Sequence, residues 1–175
     1  MSNTAALTRP PSDLAPRIHS NDPAAHEVPT GREEEWRFTP IDHVTDFFDE
    51  QSWGSVGTDA GVFVSVRDVD DAEELSALEQ AAQWQATDRP SAIARKRASQ
   101  VVVITIPSEH EATDVIVVDL SAATQASYGR IEIDAGAFCK ATIVLRHDMT
   151  ADVSGVIVTN VGDQANLTVL NMYDG

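Results

Sequence analysis

Gly136-Ala-Phe-Cys-Lys-Ala-Thr-Ile-Val144 and Gly162-Asp-Gln-Ala-Asn-Leu-Thr-Val-Leu170 are two versions of one segment, set 26 residues apart. A repeat of that length marks a chain that coils and buries its apolar face against neighbouring turns. Extended segments alternate faces with period two. On that phase Ile131, Ile133, Cys139, Ala141, Ile143 and Leu145 point inward, and Glu132, Asp134, Lys140, Thr142 and Arg146 point outward. The second copy places Ile157, Thr159, Ala165, Leu167, Val169 and Asn171 at the inward positions. The glycines fall where the backbone bends between strands. A weaker copy lies upstream, with Val115–Val118 opposite Ala141–Val144 and Val101–Ile104 opposite Arg130–Asp134, but without the glycine. The fold class expected is therefore mainly β, a solenoid over 101–175 whose successive units stack their strands in parallel. The competing reading is a free-standing β-sandwich module in which two hairpins resemble each other by coincidence. It calls for antiparallel pairing, yet lacks two-residue Asn-Gly or Asp-Gly turns between strands.

Upstream of Gln100 the pattern is mixed. Residues 1–30 are rich in Pro, Ala, Ser, Asn and Asp without periodicity and read as a flexible arm. Residues 31–100 read as a small helical or α/β region. Thr39-Pro40 resembles a helix start, and Ile41, Val44, Phe47 and Phe48 recur at helical spacing, predicting a helix over about 40–50. Val62–Val66 predicts a strand. Asp71 with Glu74 resembles a capping box opening a helix to about Trp84, with Leu75, Leu78, Ala81 and Ala82 on one face. Asp88-Arg-Pro-Ser91 stops that helix and starts another through Ser99. Arg95-Lys-Arg97 reads as the solvated face or last turn of that second helix, with a phosphate site as the lesser alternative.

The chain carries 28 acidic against 12 basic residues, a net charge of −16, spread along its length. Such a surface repels nucleic acid and anionic lipid. One cysteine excludes an internal disulfide and a cysteine-based zinc site. No apolar run approaches the ~20 residues that cross a bilayer, and no basic-then-apolar leader pattern opens the chain. The expected location is the cytoplasm. Catalytic patterns are missing: the histidines at 19, 26, 43, 110 and 147 never pair at metal-binding spacing, and no phosphate-binding glycine loop or serine-nucleophile motif occurs. A small metal enzyme, for instance of cupin type, lacks its histidine cluster. Glu109-His-Glu111 reads as a polar turn. No catalytic or cofactor residue is assigned. Cys139 and His147 are kept as minor metal-ligand candidates. Cys139 is preferred as a small packed thiol because its repeat partner is Ala165.

Glu34-Glu-Trp-Arg-Phe-Thr39, then Asp88-Arg-Pro-Ser-Ala-Ile-Ala94 leading to Val101-Val-Val-Ile-Thr-Ile-Pro107, then the two glycine-led rungs, together resemble the SufB/SufD family of SUF-system iron–sulfur cluster assembly proteins, and its SufD branch in particular. The resemblance spans roughly residues 26–175. It implies a cytoplasmic, non-catalytic scaffold built on a right-handed parallel β-helix. It also implies pairing with SufB through that β-helix and with the ATPase SufC through a C-terminal helical domain. An iron–sulfur cluster, and possibly a flavin, belong to the whole complex. Family members are much longer, so the chain corresponds to the N-terminal portion and the SufC-gripping domain is expected to be missing. No functional residue of the family carries over, and the resemblance assigns no sulfur chemistry to Cys139.

Overall fold

The computed structural model describes residues 17–69, 77–122, 124–148 and 150–174, with the side chains of Ala81, Ala82, Asp148 and Asp174 outside that description. The chain is mainly β. Eight strands form one mixed sheet: β1 (Gly54–Gly57), β2 (Val64–Asp68), β3 (Gln100–Ile106), β4 (Ile116–Ala122), β5 (Ala126–Ala135), β6 (Lys140–Asp148), β7 (Asp152–Val161) and β8 (Asn166–Asp174). Two short helices, α1 (Ala77–Ala82) and α2 (Arg89–Arg97), precede β3.

From β3 onward, alternate strands pair in parallel. β5 lies between β3 and β7, with Ile131 opposite Val102 on one side and Ile157 on the other. β6 lies between β4 and β8, with Ile143 opposite Ile116 and Val169. The echo of the sequence is thus a register: Asn160 donates to Asp134 across 26 residues at 2.9 Å. The short N-terminal strands join differently. β2 is antiparallel to β3, and β1 links the two ladders, antiparallel to β4 and parallel to β5.

The turns explain the glycines. Glu109, Phe138 and Gln164 hold left-handed backbone at φ 61°, 60° and 57°, one in each connection of an equivalent set. The turns stack, with the Glu109 amide donating to the Ala137 carbonyl and the Phe138 amide to the Asp163 carbonyl, at 2.8 and 2.9 Å. A Cβ on Gly136 would lie 2.5 Å from the Ser108 nitrogen, and one on Gly162 would lie 2.6 Å from the Ala137 nitrogen. Only glycine permits that approach. The first turn of the set carries exposed Pro107 at the same place, and among the described residues no earlier turn of the set lies beneath it. The weak upstream copy lacks its glycine for that reason. Its register also differs from the expected one. Ile116, not Val115, is the inward residue, because the stretch from Glu111 to Ile116 is longer than that from Lys140 to Ile143.

The core lies between the ladders. Val102, Ile104, Val118, Leu120, Ile131, Ile133, Cys139, Ala141, Ile143 and Leu145 are all buried there. Each large aliphatic residue contributes about 1.5–3 kcal/mol by leaving water. The second copy is less enclosed. Ala165, Leu167 and Val169 pack against this core but are only partly buried, and Ile157 is 37% exposed. On β7 the burial falls on the opposite face, at Val156 and Val158, where α1 and α2 pack. The inward face of β7 has a strand neighbour on one side only, so alternation set the faces correctly but not their burial.

The N-terminal half departs from expectation in several places. The helix expected over 40–50 is instead two turns of 3-10 helix, Ile41–His43 and Thr45–Phe48, divided at Val44, whose φ of −125° leaves the helical range. The strand expected at Val62–Val66 begins two residues later, at Val64, and β1 was not expected. The Asp71/Glu74 box and Leu75 lie outside the described residues. Among the described side chains of α1 the buried one is Glu79, while Leu78 is partly exposed. α2 follows its sequence cues: the Asp88 carboxylate accepts the Ser91 amide at 2.8 Å, and basic residues occupy the last turn. Of the expected arm, residues 17–30 dock on the body, where Arg89 donates to the carbonyls of Pro23 and His26. Residues 1–16 lie outside the described residues.

Candidate functional site

The two candidate ligand residues are kept apart by the strand that carries them. Cys139 closes the turn before β6 and is buried among the core aliphatics. His147 lies near the far end of β6, roughly 26 Å away along an extended chain. It points inward on the phase of Ile143 and Leu145. Its Nε2 lies 3.3 Å from the Asn171 Oδ1, and its ring stacks on Tyr173 at 4.3 Å. Among the described residues, no three His, Cys, Asp or Glu side chains gather to hold a metal ion.

A second concentration of chemistry lies under the helices, and sequence reading missed it. The outward face of β5 carries Arg130 and Glu132, both almost fully buried. Glu79 of α1 accepts from Arg95 of α2 at 3.0 Å and from Arg130 at 2.7 Å. Arg130 also meets Glu132 at 3.3 Å, and Glu132 meets Arg67 of β2 at 3.5 Å. Nε and Nη1 of Arg130 have no hydrogen-bond partner among the described residues. Burial pushes the Arg130 guanidinium below its usual range, and the Glu79 carboxylate opposes that push. The cluster ties both helices to the sheet. Arg95 is therefore buried rather than solvated, while Lys96 and Arg97 reach Glu50 at the surface. The sequence signal was an opposite-charge pair two residues apart, Arg130 and Glu132, flanking Ile131 in a strand. Beside the cluster lies an open cleft of about 390 Å³, lined by Arg67, Glu132, Asp134 and Asn160.

Trp36 of the Glu-Trp-Arg-Phe segment packs edge-on against Phe48 at 5.3 Å, whereas Phe38 is 88% exposed. A cleft of about 560 Å³ opens beside Trp36, lined by His26, Glu27, Glu33, Asp88 and Arg89. Its acidic lining is set off by Arg17, which pairs with Glu35 at 2.9 Å.

The ladders leave backbone unpaired. β7 pairs only with β5 and β8 only with β6, so each keeps one edge without a strand partner among the described residues. Rows of free N–H and C=O groups on such edges accept further strands. Among the described residues, no helix is long and apolar enough to cross a membrane. Comparison with protein families, curated proteins and solved structures returns no match for this chain.

Proposed function

We propose that the chain is a SufD-like scaffold segment of iron–sulfur cluster assembly, its two ladders forming the first rungs of a right-handed parallel β-helix. The observation that supports this reading is the parallel pairing of β6 with β8, Ile143 against Val169, at the spacing of the sequence repeat. A hairpin cannot produce a parallel pair, so the sandwich alternative loses the pairing on which it depends. The reading is non-catalytic: the ladders present surfaces and edges for assembly, and cluster chemistry belongs to the complex. SufB is the partner expected at the β-helix, and SufC the partner expected at the family's C-terminal helices. The test is co-expression of the tagged chain with SufB and SufC. Co-purification of SufB in stoichiometric amount is the expected result. Recovery of the chain without SufB overturns the proposal.

A further inference from the structure

The cleft beside Trp36 is built where the N-terminal segment docks on the body. The Ser20 amide donates to the Ala86 carbonyl at 2.9 Å, and Asn21 Oδ1 accepts the Ala86 amide at 3.0 Å. Arg89 holds the next stretch, its Nε donating to the Phe48 carbonyl and its Nη1 to those of Pro23 and His26. The walls are therefore fixed before any ligand arrives, and about 560 Å³ is within the range of small-molecule sites. Five carboxylates line this cleft against two guanidinium groups. Both cations are engaged: Arg17 pairs with Glu35, and Arg89 is held by backbone carbonyls. Asp88 is taken up by Ser91 as the cap of α2, and Glu33 accepts from Thr30. Glu34 has only a loose, exposed contact with Arg37 at 3.7 Å. Glu27, exposed on the wall, has no side-chain partner among the described residues.

A buried group adds a further acceptor. His26 is only 6% exposed, yet it reaches the cleft wall. Its Nε2 lies 2.8 Å from the Ser20 carbonyl oxygen. A carbonyl can only accept, so Nε2 carries the hydrogen, and in the neutral ring Nδ1 offers a bare lone pair. Nδ1 has no partner among the described residues. Nor is it sealed inside, since the buried unpartnered side-chain atoms among those residues are both on Arg130. The wall thus presents carboxylate and imidazole acceptors in excess of donors, with the Trp36 indole beside them. Such a wall calls for a ligand rich in N–H, and an indole favours a cation. The acids do not converge on a point: among the described residues, no three His, Cys, Asp or Glu side chains gather to hold a metal ion. Separated carboxylates are matched by a cation whose charges are spread along a chain. We propose that the cleft between the N-terminal segment and α2 binds a small organic cation, its ammonium or guanidinium groups on Glu27 and Glu34, an N–H on His26 Nδ1 and its body against Trp36. This inference does not rest on the scaffold reading above.

The test titrates the full chain with spermidine and, separately, with agmatine, followed by calorimetry. Salt at ~0.15 M damps the general attraction of an acidic surface. Binding of at least one titrant at a single site is expected. E27Q/E34Q should weaken it ~10-fold or more, and D59N/D163N, which removes the same charge from residues that do not line the cleft, less than ~2-fold. Circular dichroism checks that both variants fold. A readout on the unaltered chain is independent of them. In nitrogen NMR spectra of the histidine rings, saturating ligand should move the His26 Nδ1 signal. The signals of His110, whose ring packs on Phe63, should stay in place. Failure of both titrants to bind overturns the proposal. So do equal losses in the two variants, which would mean attraction by net charge alone. A His26 signal that stays still while ligand binds overturns it as well.

Discussion

A methyl group on Gly162 would sit 2.6 Å from the Ala137 nitrogen and 2.9 Å from the Gly136 carbonyl carbon. Both are backbone atoms of the preceding turn and cannot rotate away, so the turns must separate. Gly162→Ala is expected to cost about 1–3 kcal/mol, the usual range for overpacking. Gly61→Ala is the control, since its nearest contact would be Val64 at an ordinary 3.8 Å. Urea unfolding should show a lowered midpoint for the first and almost none for the second. Equal midpoints would mean the turns are not held in contact. At this scale the sequence was partly readable. Gly136 and Gly162 stood out by their spacing, but why Pro107 could replace them depended on what lies beneath a residue. Glu132 was placed on the correct face of β5, while Arg130 was not assigned a face, and the burial of the pair was not legible. It depends on Glu79 and Arg95, which reach β5 from helices distant in sequence.

Among elements, enclosure decreases along the ladders. Ile143 of β6 is fully buried with a strand on either side, while Val169 opposite it on β8 is only partly covered. Ile143→Ala is expected to cost about 2–5 kcal/mol by leaving a cavity. Val169→Ala should cost about 1 kcal/mol or less, because part of what it removes is already in water. Chemical denaturation of both variants checks the gradient, and comparable losses would refute it. The strands from Gln100 onward were legible because β-branched alternation repeats there without interruption. β1 was not: Gly-Ser-Val-Gly has almost no strand signal and is held by β4 and β5 rather than by its own preference. The 40–50 segment erred in the other direction, since helical spacing of Ile41, Val44, Phe47 and Phe48 is met equally by two short turns that bury Phe48 against Trp36.

For the molecule as a whole, a net charge of −16 opposes compaction. Raising salt from ~0.01 to ~0.15 M shortens the screening length from ~30 to ~8 Å. The melting temperature should therefore rise with salt over that range, whereas the buried Glu79–Arg130 contact is largely shielded from it. A melting temperature that fell with salt would mean that surface ion pairs outweigh the repulsion. The stacked turns have a further implication, for how such a chain can lengthen. A duplicated unit led by glycine can settle on any turn beneath it, because its bend has no Cβ to collide. A duplicate led by Pro107 could not be laid on top of another turn. Tandem duplication can therefore extend this architecture in one direction only, away from β3, and the proline-led unit is fixed as its founding member.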